Sequence, residues 1–148
     1  MRVRPATAGD LGPWSEMRAQ LWPDDDVDAH AEDIAETFLS GDADQIAFVA
    51  EGADGRLHGF VEASIRRDYV DGCDTSPVAF GEGAFIVPEF RSTGVGRALV
   101  EAVADWGRAQ GCTELASNAM LDNIASHAFH EAVGFEETER VVFFRRIL

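Results

Sequence analysis

Lysine is missing from these 148 residues, so all twelve basic side chains are arginine. A P-loop ends in Gly-Lys-Ser or Gly-Lys-Thr, and that phosphate-binding device is therefore excluded. Cysteine is scarce. Cys73 and Cys112 stand at neither metal-ligand nor redox spacing and read as free thiols rather than a disulfide. No apolar run is long enough to span a bilayer, and Met1 to Pro5 passes directly into a strand and helix pattern without the layout of a signal peptide. A cytoplasmic protein that does not associate with membranes is expected. Positive charge is also in short supply: 27 Asp and Glu give a net charge of −15, which repels nucleic-acid phosphates and suits a small cationic partner. The same acidity also serves solubility alone. Internal repeats and low-complexity segments are absent, and a 46% apolar composition supports one domain spanning residues 1–148.

What is present converges on Phe85-Ile86-Val87-Pro88-Glu89-Phe90-Arg91-Ser92-Thr93-Gly94-Val95-Gly96-Arg97-Ala98-Leu99. It reads as an apolar strand ending at Pro88, a basic Gly-rich loop, and the first turn of a helix. Unpartnered N–H groups at a helix start, two glycines and flanking Arg91 and Arg97 make an anion site suited to phosphate or pyrophosphate. A dinucleotide fingerprint fails because Leu99 holds the position of its third Gly or Ala. The remaining pattern is R-x-x-G-x-G, from Arg91 to Gly96.

Along the chain, Val3 lies in a short edge strand and Thr7 with Asp10 approximates a capping box. Leu11, Trp14, Met17, Arg18 and Leu21 fall at helical spacing, and the helix stops at Trp22-Pro23. An acidic helix is predicted from about Ala29 to Leu39, then strands over Gln45–Ala50 and Leu57–Arg66 joined by a Gly and Asp loop. The polar loop Arg67–Pro77, carrying the single tyrosine, is long enough to suggest binding. The central strand, about Val78 to Val87, alternates Val78, Phe80, Glu82, Ala84 and Ile86 on one face, with Gly81 and Gly83 suggesting a bulge. A helix from Gly94 to Ala109, a strand over Thr113–Asn118, a helix opening at Asp122 or Asn123 and closed by Gly134, and a terminal strand Val141–Leu148 complete the order. This is a mixed α/β chain with helices packed on a largely antiparallel sheet.

The loop, with its strand, proline and helix, resembles the acyl-CoA pyrophosphate loop of the GNAT superfamily of N-acetyltransferases. The element order is similar to that fold over essentially the whole chain. Within the superfamily the chain is most similar to aminoglycoside 6′-N-acetyltransferases. The matching pieces are Leu21-Trp22-Pro23, Arg66 to Gly72, Glu82 to Pro88, Asp122-Asn123, Phe129 to Phe135 and Glu137 to Phe143. The resemblance implies an α/β GNAT fold: a mixed, mostly antiparallel central sheet with a splayed CoA cleft and helices on both faces. It also implies acetyl-CoA as cosubstrate without a metal, and a homodimer that shares C-terminal strands. The implied reaction is acetyl transfer to a primary amine, the 6′-amine of an aminoglycoside antibiotic. Another amine (a polyamine, peptide or metabolite) and a non-catalytic acyl-CoA sensor are the alternatives.

On that resemblance Arg91, Ser92, Thr93, Gly94, Val95, Gly96 and Arg97 hold the pyrophosphate. Phe85, Ile86 and Val87 run beside the pantetheine arm, with amides near Ile86 and Val87 facing the thioester oxygen. Asn123 is a CoA-arm contact or a helix cap. Glu82 reads as the base for the amine through a water, or as a structural carboxylate paired with an arginine. Asn118 stands where the family often has a second acid. An amide cannot take a proton, so Asn118 can only orient substrate or water. His130 occupies the place of the family's frequent tyrosine acid, either as donor to the thiolate or as packing. Trp22 and Tyr69 are expected to stack on the acceptor, with Asp28 and Glu137 among the carboxylates supplying charge.

Overall fold

The computed structural model describes residues 1–148. β1 (Arg2–Pro5), β2 (Gln45–Glu51), β3 (Leu57–Arg66) and β4 (Val78–Ile86) are antiparallel neighbours in chain order, and β5 (Leu115–Ala116) lies parallel to β4. α1 (Leu11–Leu21) and α2 (Val27–Phe38) cover one face, α3 (Val95–Ala109) covers the other, and α4 (Ile124–Ala132) packs on the start of α3. The chain thus has the largely antiparallel sheet that its pattern predicts, with helices on both faces as the resemblance implies.

Local chemistry sets the helix ends. Before α1, the Thr7 N–H donates to the Asp10 carboxylate at 2.8 Å, and Arg4 grips the same carboxylate through two bonds of 2.8 Å. The Arg4 bonds hold Asp10 below the ordinary carboxylate range. Asp26 caps α2 by accepting from Ala29 N–H, which starts that helix at Val27, two residues before the predicted point. Gly94 precedes α3 with φ +92°, a conformation that costs glycine little and other residues more.

Apolar side chains split into two cores across the sheet. Trp14, Met17, Ile34, Ala47, Val49, Phe60 and Phe85 meet beneath α1 and α2. Ala50, Val61, Ala63, Val95, Leu99 and Val103 meet beneath α3, joined at the edge by Ala84 and Ile86. Each large side chain removed from water in these clusters contributes about 1.5–3 kcal/mol of transfer free energy before entropy is counted.

Three expectations change. First, Val78, Phe80, Glu82, Ala84 and Ile86 do not share a face. The register jumps so that Glu62 opposes Gly83 and Ala63 opposes Gly81, leaving Glu82 as the extra residue of a bulge. After it the alternation inverts: Ala84 and Ile86 join the α3 core while Phe85 enters the α1 core. Second, β5 pairs only through Ala79↔Leu115 and Phe80↔Ala116. Third, Val141–Leu148 forms no strand; Phe143 is 87% and Phe144 92% exposed. A strand needs a ladder partner, and the rest of this single chain supplies none to that segment.

Candidate active site

The short β4–β5 pairing creates the cleft. Beyond Phe80 and Ala116 the strands part, although Ser117 Oγ still lies 3.4 Å from Gly81 O. Glu82 and Asn118 each follow the last paired residue of their strand by two positions, at the point where the gap opens. On β4's other side the ladder persists: Val87 N–H donates to His58 O at 2.9 Å, so it is consumed by the sheet. Ile86 faces the opposite way, its carbonyl accepting from Arg91 Nε at 2.9 Å. In an extended strand a residue's N–H points with its carbonyl, so of the two amides expected to face the cleft only that of Ile86 does. Phe85 turns its ring into the α1 core, away from the cofactor side.

The loop after β4 has the shape of an anion nest. Ser92 takes φ +61°, uncommon for a residue with a side chain, and Gly94 takes φ +92°. The first helical bond of α3 runs from Ala98 N–H to Gly94 O at 3.0 Å, which leaves the N–H groups of Val95, Gly96 and Arg97 free at the positive end of the helix. These groups fit a pyrophosphate. Thr93 is tied back through its hydroxyl to Phe90 O, and Arg91 lies 5.4 Å from the Phe85 ring centroid with only its Nε engaged. Arg97 behaves differently from its expected flanking role, since its guanidinium donates to Ala132 O at the end of α4. Gly96 also serves the packing of the helices. A Cβ there would come 2.6 Å from Phe129 Cε2, so its lack of a side chain lets α3 and α4 touch.

Glu82 sits on the α1–α2 side of the bulge. It accepts from Ser64 Oγ at 2.6 Å and from the Arg66 terminal nitrogen at 3.0 Å to each oxygen, while Arg66 covers the Phe80 ring at 3.5 Å. The arginine-paired alternative is therefore realised, yet the side chain keeps 32% exposure and still meets solvent. Trp22 lies beside it: a Cβ on Gly83 would strike the indole at 2.5 Å, so the ring rests against the strand where no side chain intervenes. Val70 buries against Val78 and Phe80, anchoring the long loop from which Tyr69 projects with 73% exposure. Glu114 clamps the far end of that loop by accepting from Asp74 and Thr75 N–H at 3.0 and 2.7 Å, and the Thr75 hydroxyl bond holds this carboxyl below its ordinary value. Glu137 precedes Thr138, which fills the space over Gly72, but is paired with Arg140. Asp28 is exposed in the first turn of α2.

His130 Nδ1 lies 2.6 Å from Ser126 O. A carbonyl only accepts, so Nδ1 carries the proton, and Nε2 is left to accept from Ser117 Oγ at 2.9 Å. Ser117 thus links the imidazole to the point where β4 and β5 part. Asn123 is occupied as the α4 cap, accepting from Ser126 N–H at 3.2 Å. No three His, Cys, Asp or Glu side chains stand together as a metal site.

Sequence reasoning missed two groups. Ser117 carried no distinguishing signal. Glu62 did, because Phe60, Glu62 and Ser64 alternate on a face that must be covered by α1. Glu62 is 1% exposed; it accepts from Trp14 Nε1 at 2.9 Å and lies 3.0 Å from Arg18 Nε. Burial pushes its carboxyl up to about 7, against the pull of Arg18 and of the Trp14 N–H.

Comparison with known proteins matches residues 13–135 to the acetyltransferase (GNAT) family. The chain is 47% identical over 146 residues to an aminoglycoside N(6′)-acetyltransferase type 1 of Salmonella typhimurium, covering 99% of each. A solved structure of AAC(6′)-Iy in complex with the bisubstrate analogue CoA-S-monomethyl-acetylneamine is similar with a TM-score of 0.90 and 45% identity, over 99% of this chain and 98% of that one. The crystal structure of aminoglycoside antibiotic 6′-N-acetyltransferase AAC(6′)-Ih from Acinetobacter baumannii aligns with a TM-score of 0.93 at 41% identity, with the same coverage of both chains.

Proposed function

Since this chain belongs to the acetyltransferase (GNAT) family, we propose that it transfers the acetyl group of acetyl-CoA to the 6′-amine of an aminoglycoside. The observation that carries the reading is the opening of the sheet at Glu82. It sets a solvent-reaching carboxylate and the Trp22 ring on one side of a gap whose far end is the amide nest. Similarity to aminoglycoside N(6′)-acetyltransferases over nearly the full length supports the acceptor.

In this reading the nest amides of Val95 to Arg97 and the free end of Arg91 bind the pyrophosphate. The Ile86 N–H polarises the thioester oxygen; a preorganised donor of this kind is worth about 3 kcal/mol of barrier. Glu82, fixed by Ser64 and Arg66, takes the amine proton through a water, and Asn118 across the gap orients that water or the acceptor. The Ser117 hydroxyl turns from His130 to donate a hydrogen bond to the departing sulfur. Trp22 and Tyr69 supply aromatic faces for a polycationic sugar, with Asp28 and Glu137 lending negative charge at the rim.

The terminal segment suits a second copy. Val141, Val142, Phe143 and Phe144 are exposed, and pairing them across a twofold axis would cover their apolar faces and complete a strand ladder. A homodimer working in the cytoplasm, where acetyl-CoA is made and used, is the resulting assembly. The decisive experiment incubates the protein with acetyl-CoA and kanamycin, a polyamine, or a peptide amine, and reads the product by mass spectrometry. Mono-acetylated kanamycin modified at the 6′ nitrogen is expected. Acetylation of only another amine, or CoA binding with no transfer, would overturn the assignment.

A further inference from the structure

Behind the Trp22 wall lies a charged cluster that the proposed chemistry does not use. Arg18 of α1 is buried; its guanidinium carbon stands 5.0 Å from the Trp22 ring centroid. Arg18 also donates to His30 O at 3.3 Å, and the His30 Nε2 in turn donates to Trp22 O at 2.9 Å. The indole that rests on Gly83 is therefore held from behind by one arginine acting on both ring and backbone. Arg18 is itself held between two carboxylates, Asp33 of α2 at 2.8 Å and Glu62 of β3 at 3.0 Å. The Glu62 contact is an ion pair without an aligned hydrogen bond: Arg18 Nε has no acceptor along its N–H and no water-accessible surface. A buried donor left this way is costly, and it makes the Arg18–Glu62 contact depend on the charge of Glu62 rather than on directional bonding.

We propose that Glu62 is a positioning residue for the acceptor, setting through Arg18 both the seat and the charge behind Trp22. The inference rests on Trp22 being part of the acceptor site. When Glu62 is ionised it offsets Arg18, and a cationic acceptor on the far side of the indole meets little net positive charge. When Glu62 is protonated only Asp33, which is half in solvent, opposes Arg18, and the acceptor is repelled. The other groups facing Glu62 are few. Trp14 donates from α1, His30 of α2 contacts Arg18 through its carbonyl, Glu82 of β4 is taken up by Ser64 and Arg66, and β2 presents only Ala47 opposite. Burial places the Glu62 ionisation near 7, within the range where an acetyl transfer assay is run.

The test measures the KM for kanamycin at saturating acetyl-CoA, and the KM for acetyl-CoA, from pH 6 to 8.5 in wild type, Glu62→Gln, Glu62→Asp and Trp22→Ala. Ionisation of kanamycin itself is common to all variants and cancels in their ratios. Glu62→Gln should raise the kanamycin KM about fivefold at pH 8, the effect of one charge behind a half-solvated site, and converge on wild type at pH 6. The acetyl-CoA KM should stay put, and Glu62→Asp should restore most of the pH dependence. A kanamycin KM in Glu62→Gln that equals wild type at every pH would overturn the proposal. So would parallel rises in both KM values that Glu62→Asp does not rescue, since that is the mark of a structural defect. If instead Trp22→Ala leaves the kanamycin KM unchanged, the acceptor wall is misplaced and this inference falls with it.

Discussion

Gly96 separates two explanations of the same glycine. In the ligand-centred one, a side chain at this position would crowd the pyrophosphate and leave the fold intact. The geometry says otherwise. An added Cβ would lie 2.6 Å from Phe129 Cε2 and 3.2 Å from Cζ, against an ordinary contact of 3.4 Å or more. The aromatic ring, and α4 with it, would have to withdraw by about 0.8 Å. Overpacking of that size costs about 1–3 kcal/mol. Replacing Gly by Ala inside a helix returns about 1 kcal/mol of that. Gly96→Ala should therefore destabilise the chain by about 1 kcal/mol and lower Tm by about 3 °C for a protein of this length. Because Phe129 precedes His130, the displacement also disturbs the imidazole that holds the Ser117 hydroxyl in place for the departing sulfur, and kcat should fall more than acetyl-CoA affinity. Gly94→Ala is the control: its φ of +92° strains any L side chain, but nothing lies within 4 Å of the added atom. Thermal unfolding, calorimetric titration with acetyl-CoA and steady-state kinetics on both variants decide the case. A Gly96→Ala protein as stable as wild type, with acetyl-CoA affinity alone reduced, would refute the packing argument.

Three further outcomes are expected. Glu82→Gln should lower kcat by about 100-fold at neutral pH with acetyl-CoA binding retained; a variant as fast as wild type, with the same pH profile, would remove Glu82 from the proton path. Glu62 should also make stability pH-dependent. Its folded carboxyl near 7 stands above the ordinary 4.5, so its stabilising contribution is complete below 4.5 and is lost as pH rises through 7. At about 1.4 kcal/mol per unit, wild type should lose about 3 kcal/mol relative to Glu62→Gln across that window in urea unfolding at pH 4.5 and 8, and a pH-independent difference would contradict the burial argument. Finally, light scattering at micromolar concentration should give a dimer, and removal of residues 141–148 should give a monomer; a monomeric full-length chain would leave the exposed phenylalanines without their proposed cover.

The sequence by itself determined what depends on short spacing and on absence. Missing lysine and a misplaced Leu99 removed two phosphate loops, while the glycines after Arg91 marked a loop that opens a helix with free amides, because backbone freedom and helix-start donors are local properties. The periodicities around Trp14 and Leu99 located α1 and α3, and Gly94 falls at the start of α3. Only the tertiary structure decided which side chains meet. The bulge at Glu82 inverted half of β4, and nothing in Gly81-Glu82-Gly83 says which of three residues will be the extra one until β3 fixes the register. Gly96 looked like a loop glycine and proved to be where two helices touch. Val87 looked like a cofactor amide and is bonded to His58, since an N–H in a ladder belongs to whichever strand lies beside it. Glu62 is the clearest case: along the chain it is one acid among many, and it becomes distinctive only when α1 closes over it and puts Arg18 between it and Trp22.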